Sequence, residues 1–245
     1  MPWRACTLTE RREIQRVLVV TAHPDDVDFG ASGTIATWTD GGIDVSYCIV
    51  TDGDAGGFDP SIPRGRIAGI RQAEQTAAAK AVGVTSLVFL GHRDGAVEPS
   101  LRLRKDISRE IRRSRPDVVL CQSPVRDFTR IFASHPDHLA VGEATMCAVY
   151  PDARNPFTFT DLLDEGFEAH SAWQIWIMGG PNPNHFVDTT AQFDRKIEAL
   201  RCHESQHRDP DGMAQRVRGW NESLATSAGF AAGSTAECFL IVDTP

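Results

Sequence analysis

The sequence predicts an α/β fold, a Rossmann-like three-layer sandwich whose central sheet is mostly parallel. Apolar runs and helical spacings alternate along residues 15–150, as in a chain of strand–helix units. The first run, at 17–20, is apolar at every position, which is typical of a strand that helices cover on both faces. Parallel strands need long crossovers between them, and a helical pattern follows each predicted strand.

Four strand–helix units make up this predicted core. The predicted strands are 17–22, 43–51, 87–90 and 117–121. The predicted helices are 30–40, 64–82, 101–115 and 139–149. The first three helices end at helix-terminating residues, which are Gly41, Gly83 and Pro116.

The pattern is less regular beyond Tyr150. There we expect a loop at 151–159, a strand at 173–178, a helix at 190–207 and a last strand at 239–242. No repeat, low-complexity segment or linker divides the chain. We therefore expect a single domain over 1–245, with a core of about 15–150 and a C-terminal lobe of about 151–245 that completes the pocket.

Composition and charge exclude several classes of protein. The 245 residues are 41% hydrophobic and 24% charged, which is ordinary for a globular chain. A net charge of −8 argues against nucleic acid or an anionic membrane as the main partner. No apolar run approaches the roughly 20 residues of a membrane span, and the charged segment 10–13 leaves no room for a signal peptide.

The cysteines indicate a compartment. Six of them are scattered along the chain without a C-x-x-C pair, from Cys6 to Cys238. This pattern is typical of reduced thiols and of neither a zinc knuckle nor a disulfide framework. We therefore expect a cytoplasmic protein.

Two dense polar motifs follow predicted strands. Ala22-His23-Pro24-Asp25-Asp26 closes the first strand, and Ser134-His135-Pro136-Asp137-His138 lies in the connection that leaves the fourth. Two glycine- and aspartate-containing loops, 52–57 and 91–95, follow the second and third strands. Because the carboxyl ends of parallel strands share one edge of a sheet, all four segments are expected at a single site.

The residue types at this edge favour a metal ion. Charge gathered at the end of a buried strand is costly unless a partner of opposite sign is present. A set of two histidines and one carboxylate with open positions suits a catalytic zinc, and the same set suits non-haem Fe(II). Fe(II) oxygenases with a His-x-Asp pair usually have an all-β fold, so zinc is the favoured metal. The spacing alone does not tell Asp25 from Asp26.

The motifs resemble those of the LmbE-like, or PIG-L, zinc-dependent de-N-acetylases. The branch with Val27 after the paired aspartates includes chitobiose- and bacillithiol-type deacetylases. The matching segments are, in order, Ala22-His23-Pro24-Asp25-Asp26 with Gly30 and Gly33-Thr34-Ile35, Thr51-Asp52-Gly53, Arg71-Gln72-Ala73-Glu74, Arg93-Asp94, His135-Pro136-Asp137-His138, Val187-Asp188-Thr189-Thr190, and Lys196-Ile197-Glu198-Ala199-Leu200 with Ser205-Gln206.

The resemblance implies a role for each motif residue. The implied zinc (Zn2+) ligands are His23, Asp26 and His138. Asp25 would be the general base on the metal-bound water, and His135, oriented by Asp137, would stabilise the oxyanion or act as general acid. Arg71 and Asp94 would contact the sugar. The implied substrate is a small N-acetylated amino sugar or a conjugate of one, and a homo-oligomer is consistent with the family.

Two other functions stay open at this point. One is an Fe(II)-dependent oxygenase that uses the same three ligands. The other is a non-enzymatic sugar-binding module with a structural metal, which would need a closed set of four ligands. Asp28 is expected only in a turn or a helix cap, and the remaining histidines, His203 among them, are expected in surface or structural positions.

Overall fold

The computed structural model describes residues 13–244, so Cys6 and the segment 10–12 lie outside the described residues. The described chain forms seven strands in one sheet, with spatial order β3-β2-β1-β4-β5-β7-β6. The strands are β1 (Arg16–Thr21), β2 (Asp44–Thr51), β3 (Ser86–His92), β4 (Val118–Gln122), β5 (Gln174–Met178), β6 (His185–Asp188) and β7 (Ala236–Asp243).

Helices cover both faces of this sheet. They are α1 (Asp26–Asp40), α2 (Arg64–Ala81), α3 (Leu101–Ser114), α4 (Pro136–Cys147), α5 (Asp161–Asp164), α6 (Phe193–Arg201) and α7 (Pro210–Ser227). Short 3₁₀ turns lie at Ile131–Ser134, Thr190–Gln192 and Glu204–Gln206, and a π-type turn lies at Ala148–Asp152.

Strands β1 to β5 pair in parallel, and β7 runs antiparallel to both β5 and β6. The predicted α/β fold with a mostly parallel sheet is thereby confirmed. The apolar run of β1 is buried on both sides, because Val17 and Val19 face one core cluster and Leu18 and Val20 face the other. This placement explains why the strand shows no polar alternation.

The strand order puts the site at the middle of the sheet. β1 lies between β2 and β4, and its carboxyl end is followed directly by α1, which begins at Asp26. The order reverses between β1 and β4, where the chain switches from one half of the sheet to the other. Open α/β sheets bind their ligands in the crevice at such a switch point.

The C-terminal part of the chain differs most from the prediction. The single helix expected over 190–207 is a shorter α6 flanked by two 3₁₀ turns, and α7 was not predicted. Helix α7 buries Met213, Val217, Asn221 and Ala225. These residues lie four apart, so they form one stripe, but a polar residue and a small residue weaken its apolar pattern.

The described cysteines are all free, namely Cys48, Cys121, Cys147, Cys202 and Cys238. This agrees with the reduced thiols expected from their spacing. Among residues 13–244, none of the helices combines the length and the apolar character that a membrane span requires.

Candidate metal centre

A tight turn after β1 sets the first two donors. Asp25 has a left-handed backbone conformation, with φ 86° and ψ −25°, and α1 begins at the next residue. The backbone N–H of His23 donates to Asp26 Oδ2 at 2.6 Å. The turn thereby brings the His23 ring and the Asp26 carboxylate together, with His23 Nδ1 at 3.3 Å from Asp26 Oδ2.

The start of α4 supplies the other histidines. His135 is the N-cap of α4, Pro136 occupies its first turn, and His138 follows in the same turn, as the sequence predicts. The backbone N–H of Asp137 donates to His135 Nδ1 at 3.2 Å. This bond leaves His135 Nε2 as the nitrogen that carries a proton.

Three donor atoms from these two segments converge on one point. His23 Nδ1 lies 3.3 Å from His138 Nε2, and His138 Nε2 lies 3.0 Å from Asp26 Oδ1. Atoms that ligate a tetrahedral zinc at about 2.0 Å lie about 3.3 Å from one another. The spacing of the three atoms therefore fits a single metal ion of this size.

Hydrogen bonds on the far side of each ring determine which nitrogens are free. His23 Nε2 faces the carboxylates of Asp137 at 3.1 Å and Asp94 at 3.2 Å, and carboxylates only accept. His138 Nδ1 faces the carbonyl oxygen of Ala133 at 3.3 Å, which also only accepts. When both rings are neutral, as they are in a metal site, the outer nitrogens carry the protons and the lone pairs of His23 Nδ1 and His138 Nε2 point to one place beside the Asp26 carboxylate. A cation between them resolves this arrangement.

The charges around His23 favour positive charge at this point. Burial lowers the pKa of His23, but the carboxylates of Asp26, Asp137 and Asp94 outweigh burial and raise the pKa to about 12. Burial raises the pKa of Asp26, but the facing imidazoles of His138 and His23 hold it well below its ordinary value. A bound divalent ion would supply the same positive charge.

Asp94 and Asp137 share a neighbour that the sequence did not indicate, the outer nitrogen of His23. The resemblance implied that Asp94 contacts the sugar and that Asp137 orients His135. In the structure both carboxylates face His23 Nε2, at 3.2 and 3.1 Å, while the backbone N–H of Asp137 also donates to His135 Nδ1. His23 and these two carboxylates lie close enough together to hold a cation. The remaining oxygen of Asp94 accepts from the backbone N–H of Ala55, and Asp137 accepts from that of Gly95. These bonds make the pair a support for the His23 ring.

Arg71 makes a contact that the sequence did not indicate, with the carboxylate of Asp25. Only 4% of its surface is exposed, and its Nη2 donates to Asp25 Oδ2 at 3.0 Å and to the carbonyl of Pro24. The loop after β2 packs on the guanidinium so closely that a Cβ at Gly53, where φ is 63°, would lie 2.9 Å from it. Arg71 therefore contacts Asp25 and stays beneath the surface of the site.

Asp25 lies beside the three donors without joining them. Burial raises the pKa of its carboxyl group to about 6, Arg71 opposes the shift, and the neighbouring Asp26 adds to it. A carboxylate with a pKa near neutrality is well matched to accept and return a proton.

His135 borders the same point from the solvent side. Its ring centroid lies 5.0 Å from that of His23 and 5.3 Å from that of His138. Burial lowers the pKa of His135, and the neighbouring rings of His23 and His138 lower it further. His135 is thus a neutral donor through Nε2 at the open side of the metal ligands.

A cavity of about 330 Å³ opens next to the donors. Asp26 and His138 form part of its wall, and this volume is in the range of small-molecule sites. Its lining is largely apolar and includes Phe29, Met178 and the stacked rings of Phe132 and Trp220, whose centroids are 5.7 Å apart. The site therefore has a polar floor and an apolar wall.

Sequence reasoning missed a buried polar group behind the site. Gln75, Asp28 and His203 are fully buried, and Gln75 and His203 both donate to the carboxylate of Asp28. The signal for Gln75 was its position four residues after Arg71, on the same face of α2. His203 lies far away in sequence and carried no such signal.

Fold and site together define an α/β protein that gathers the donors for one metal ion at the switch point of its sheet. The family model for PIG-L, described as GlcNAc-PI de-N-acetylase, matches residues 18–149. The chain belongs to this family.

Similar proteins with a described activity are consistent with this family membership. The diacetylchitobiose deacetylase of Thermococcus kodakarensis is 34% identical over 194 residues, which cover 79% of this chain and 71% of the relative. A probable N-acetyl-α-D-glucosaminyl L-malate deacetylase 2 of Bacillus anthracis is 28% identical over 200 residues, with 78% and 81% covered. The inhibitor-bound N,N′-diacetylchitobiose deacetylase of Pyrococcus horikoshii superposes with a TM-score of 0.86 at 30% identity, over 94% of this chain and 84% of that one.

Proposed function

We propose that the protein is a metal-dependent hydrolase that removes the acetyl group from an N-acetylglucosamine-type amide. The observation that carries this proposal is the convergence of His23 Nδ1, His138 Nε2 and the Asp26 carboxylate, whose atoms lie 3.0–3.3 Å from one another. Three ligands leave positions open for a substrate, as a catalytic metal requires. The deacetylase relatives support the amide as the bond that is cleaved.

In this proposal, His23, Asp26 and His138 hold zinc. Bound zinc would supply a Lewis acid for the amide carbonyl and would lower the pKa of water from 15.7 to about 7. The donor set of two imidazoles and one carboxylate fits this ion, and Asp94 and Asp137 would keep the His23 ring in the required tautomer.

Asp25 accepts the proton of the attacking water and returns it to the leaving amine. Its Oδ2 is held by Arg71 Nη2, so the other carboxylate oxygen is available for the proton. A positioned base of this kind contributes roughly 10²–10⁴-fold in rate. Arg71 keeps Asp25 in place and preserves its charge.

His135 acts on the oxygen of the amide carbonyl, where negative charge develops during the reaction. Because its Nδ1 accepts from the Asp137 backbone, the neutral ring of His135 keeps its Nε2–H and donates it as a hydrogen bond to the oxyanion, while Asp25 returns the proton to the amine. The loss of one such donor costs about 10²–10³ in kcat. The cavity beside Asp26 and His138 receives the substrate.

The decisive experiment is an acetate-release screen. The zinc-loaded protein is incubated with N,N′-diacetylchitobiose, N-acetylglucosaminyl malate and other N-acetylglucosamine conjugates, and released acetate is measured. Release from at least one conjugate supports the proposal, and no release with zinc bound contradicts it.

An Fe(II)-dependent oxygenase is the alternative with the same ligands. Activity that survives reconstitution with zinc under anaerobic conditions excludes it, because an oxygenase needs both iron and dioxygen. A binding module with a structural metal predicts a fourth protein ligand, and the nearest further side chain, His135, lies close enough to His23 and His138 to share an ion with them. In the proposed hydrolase, His135 Nδ1 accepts from the Asp137 backbone and its Nε2–H faces the substrate, so zinc bound without any acetate release would favour the binding module.

The compartment and the assembly belong to the same proposal. Five free cysteines support a reducing compartment, for which we propose the cytoplasm. We also propose a homo-oligomer, on the strength of the family membership. Cell fractionation and light scattering test these two points.

A further inference from the structure

The backbone of Asp25 is held in an unfavourable conformation. Its φ of 86° lies in the left-handed region, which residues other than glycine adopt in only a few per cent of cases, asparagine and aspartate more often than the rest. Asp25 is the N-cap of α1, yet its side chain makes no capping bond that would account for this geometry. Other contacts must maintain the conformation.

Gln75 supplies one of those contacts. The backbone N–H of Asp25 donates to Gln75 Oε1 at 2.8 Å, and Gln75 Nε2 donates to Asp28 Oδ2 at 3.0 Å. A backbone N–H only donates and a carboxylate only accepts, so the two partners determine the orientation of the amide. No flip of Gln75 keeps both bonds.

His203 anchors the same group from the C-terminal part of the chain. Its Nε2 donates to Asp28 Oδ2 at 2.8 Å, and both side chains are fully buried. The pair balances the charge of Asp28, which would otherwise be costly at this depth. Asp28 is thereby fixed in position to hold Gln75.

Arg71 and Gln75 lie four residues apart on α2, and each of them holds a different group of Asp25. Arg71 binds the carboxylate, and Gln75 binds the backbone N–H of the same residue. The carboxylate of Asp25 can turn about its side-chain bonds while Arg71 alone holds it. The second contact determines the direction in which the side chain leaves the backbone.

We propose that Gln75, Asp28 and His203 are positioning residues that hold Asp25 in the left-handed conformation required of the general base. The inference rests on the proposed function, in which Asp25 accepts the proton. It assigns to the C-terminal part of the chain a contribution to the reaction through His203, which touches neither the metal ligands nor the cavity.

The test compares Gln75→Met and His203→Leu with wild-type protein, each loaded with zinc. On a conjugate that wild-type protein deacetylates, kcat is expected to fall about 10–100-fold, because a small misplacement of a reacting group has an effect of this size. KM is expected to stay within about twofold, and the zinc content is expected to match wild type. His203→Gln keeps a donor toward Asp28 and should restore most of kcat.

The matched control is His170→Leu. His170 Nε2 bonds to the Pro116 carbonyl at 2.7 Å, at the end of β4 away from the site. This variant loses a histidine hydrogen bond too, and its kcat should stay at the wild-type value. If His203→Leu does not fold, Gln75→Met still tests the inference, because it leaves the Asp28–His203 pair intact.

Three outcomes overturn the inference: wild-type kcat in Gln75→Met, loss of zinc from that variant, or a rise in KM that accounts for the whole effect. A crystal structure of Gln75→Met gives a readout without activity, since φ of Asp25 should leave the left-handed region. An unchanged φ contradicts the inference. If wild-type protein releases no acetate, the proposed function has failed, while φ in the variant still decides the role of Gln75.

Discussion

At the scale of single residues, the site depends on the two sides of one imidazole. His23 faces Asp26 and His138 through Nδ1, and it faces Asp94 and Asp137 through Nε2. A protein that needed only a buried histidine would not surround both nitrogens with carboxylates, since each added carboxylate must be desolvated. The outer pair makes the inner nitrogen a better ligand.

Asp94→Asn should therefore weaken metal binding by about 10–100-fold, which is typical for the loss of an outer carboxylate partner. Isothermal titration with zinc measures the change. The control is Asp54→Asn, because Asp54 lies in the neighbouring loop and binds Arg64 at 2.8 Å, away from the ligands. Equal affinities for Asp94→Asn and wild type would remove Asp94 from the support of His23.

Substitutions of the two adjacent aspartates should have different effects on zinc binding and turnover. Asp25→Asn should keep zinc and lose roughly 10²–10⁴-fold in turnover, because asparagine tolerates a left-handed backbone but does not accept the proton. Asp26→Ala should lose the zinc itself. Metal analysis and acetate release measure both effects, and full zinc loading of Asp26→Ala would exclude Asp26 as a ligand.

The sequence indicated the site residues to different degrees. The edge of a parallel sheet predicted that the two motifs meet, and the resemblance selected His23, Asp26 and His138 from them as the ligands. The sugar contacts expected of Arg71 and Asp94 stay predictions. Their contacts with Asp25 and His23 could not be foreseen, because the resemblance names a role without the direction of the side chain. His203 could not be foreseen, because its partner Asp28 lies 175 positions away.

At the scale of elements, α1 depends on a buried ion pair. Lys196 of α6 is fully buried and donates to Glu237 of β7 at 2.6 Å. Lys196 also donates to the carbonyls of Asp28 and Phe29, and Glu237 accepts from the N–H groups of Gly33 and Thr34. The pair thus binds the backbone of α1 along more than one turn, next to the metal ligands.

Lys196→Met should lower the free energy of unfolding by about 3–5 kcal/mol, since it leaves the charge of Glu237 buried without its partner. Denaturant unfolding measures the change. Lys105→Met is the matched control, because Lys105 pairs with Asp161 where both side chains are partly exposed. The control should lose less than about 1 kcal/mol, and a loss of equal size in both variants would contradict the role given to Lys196.

The elements of the core were predictable, and those of the C-terminal part were less so. Strands β1 to β4 and their helices agree with the prediction within a few residues, because each carries its own apolar pattern. The helix expected over 190–207 stops at Arg201, and the following His203 leaves the helical path and reaches Asp28. A tertiary contact of this kind leaves no local signal.

At the scale of the whole molecule, the site joins parts of the chain that are far apart. β1 and α1 supply His23 and Asp26, α4 supplies His138, and the C-terminal part supplies β5, β6 and β7 and the anchors of α1. An ion held by His23, Asp26 and His138 would link β1, α1 and α4 and would bind only the folded chain. The stability of the fold should therefore depend on the metal.

Zinc at about 100 times its Kd should raise the free energy of unfolding by about 2.7 kcal/mol, because it binds the folded chain and not the unfolded one. For a chain of this length, the increase corresponds to roughly 5–11 °C in Tm. Calorimetry with and without a chelator measures the shift. Asp26→Ala should show no shift, because its donor set is incomplete. A shift of equal size in Asp26→Ala would place the stabilising zinc at another site.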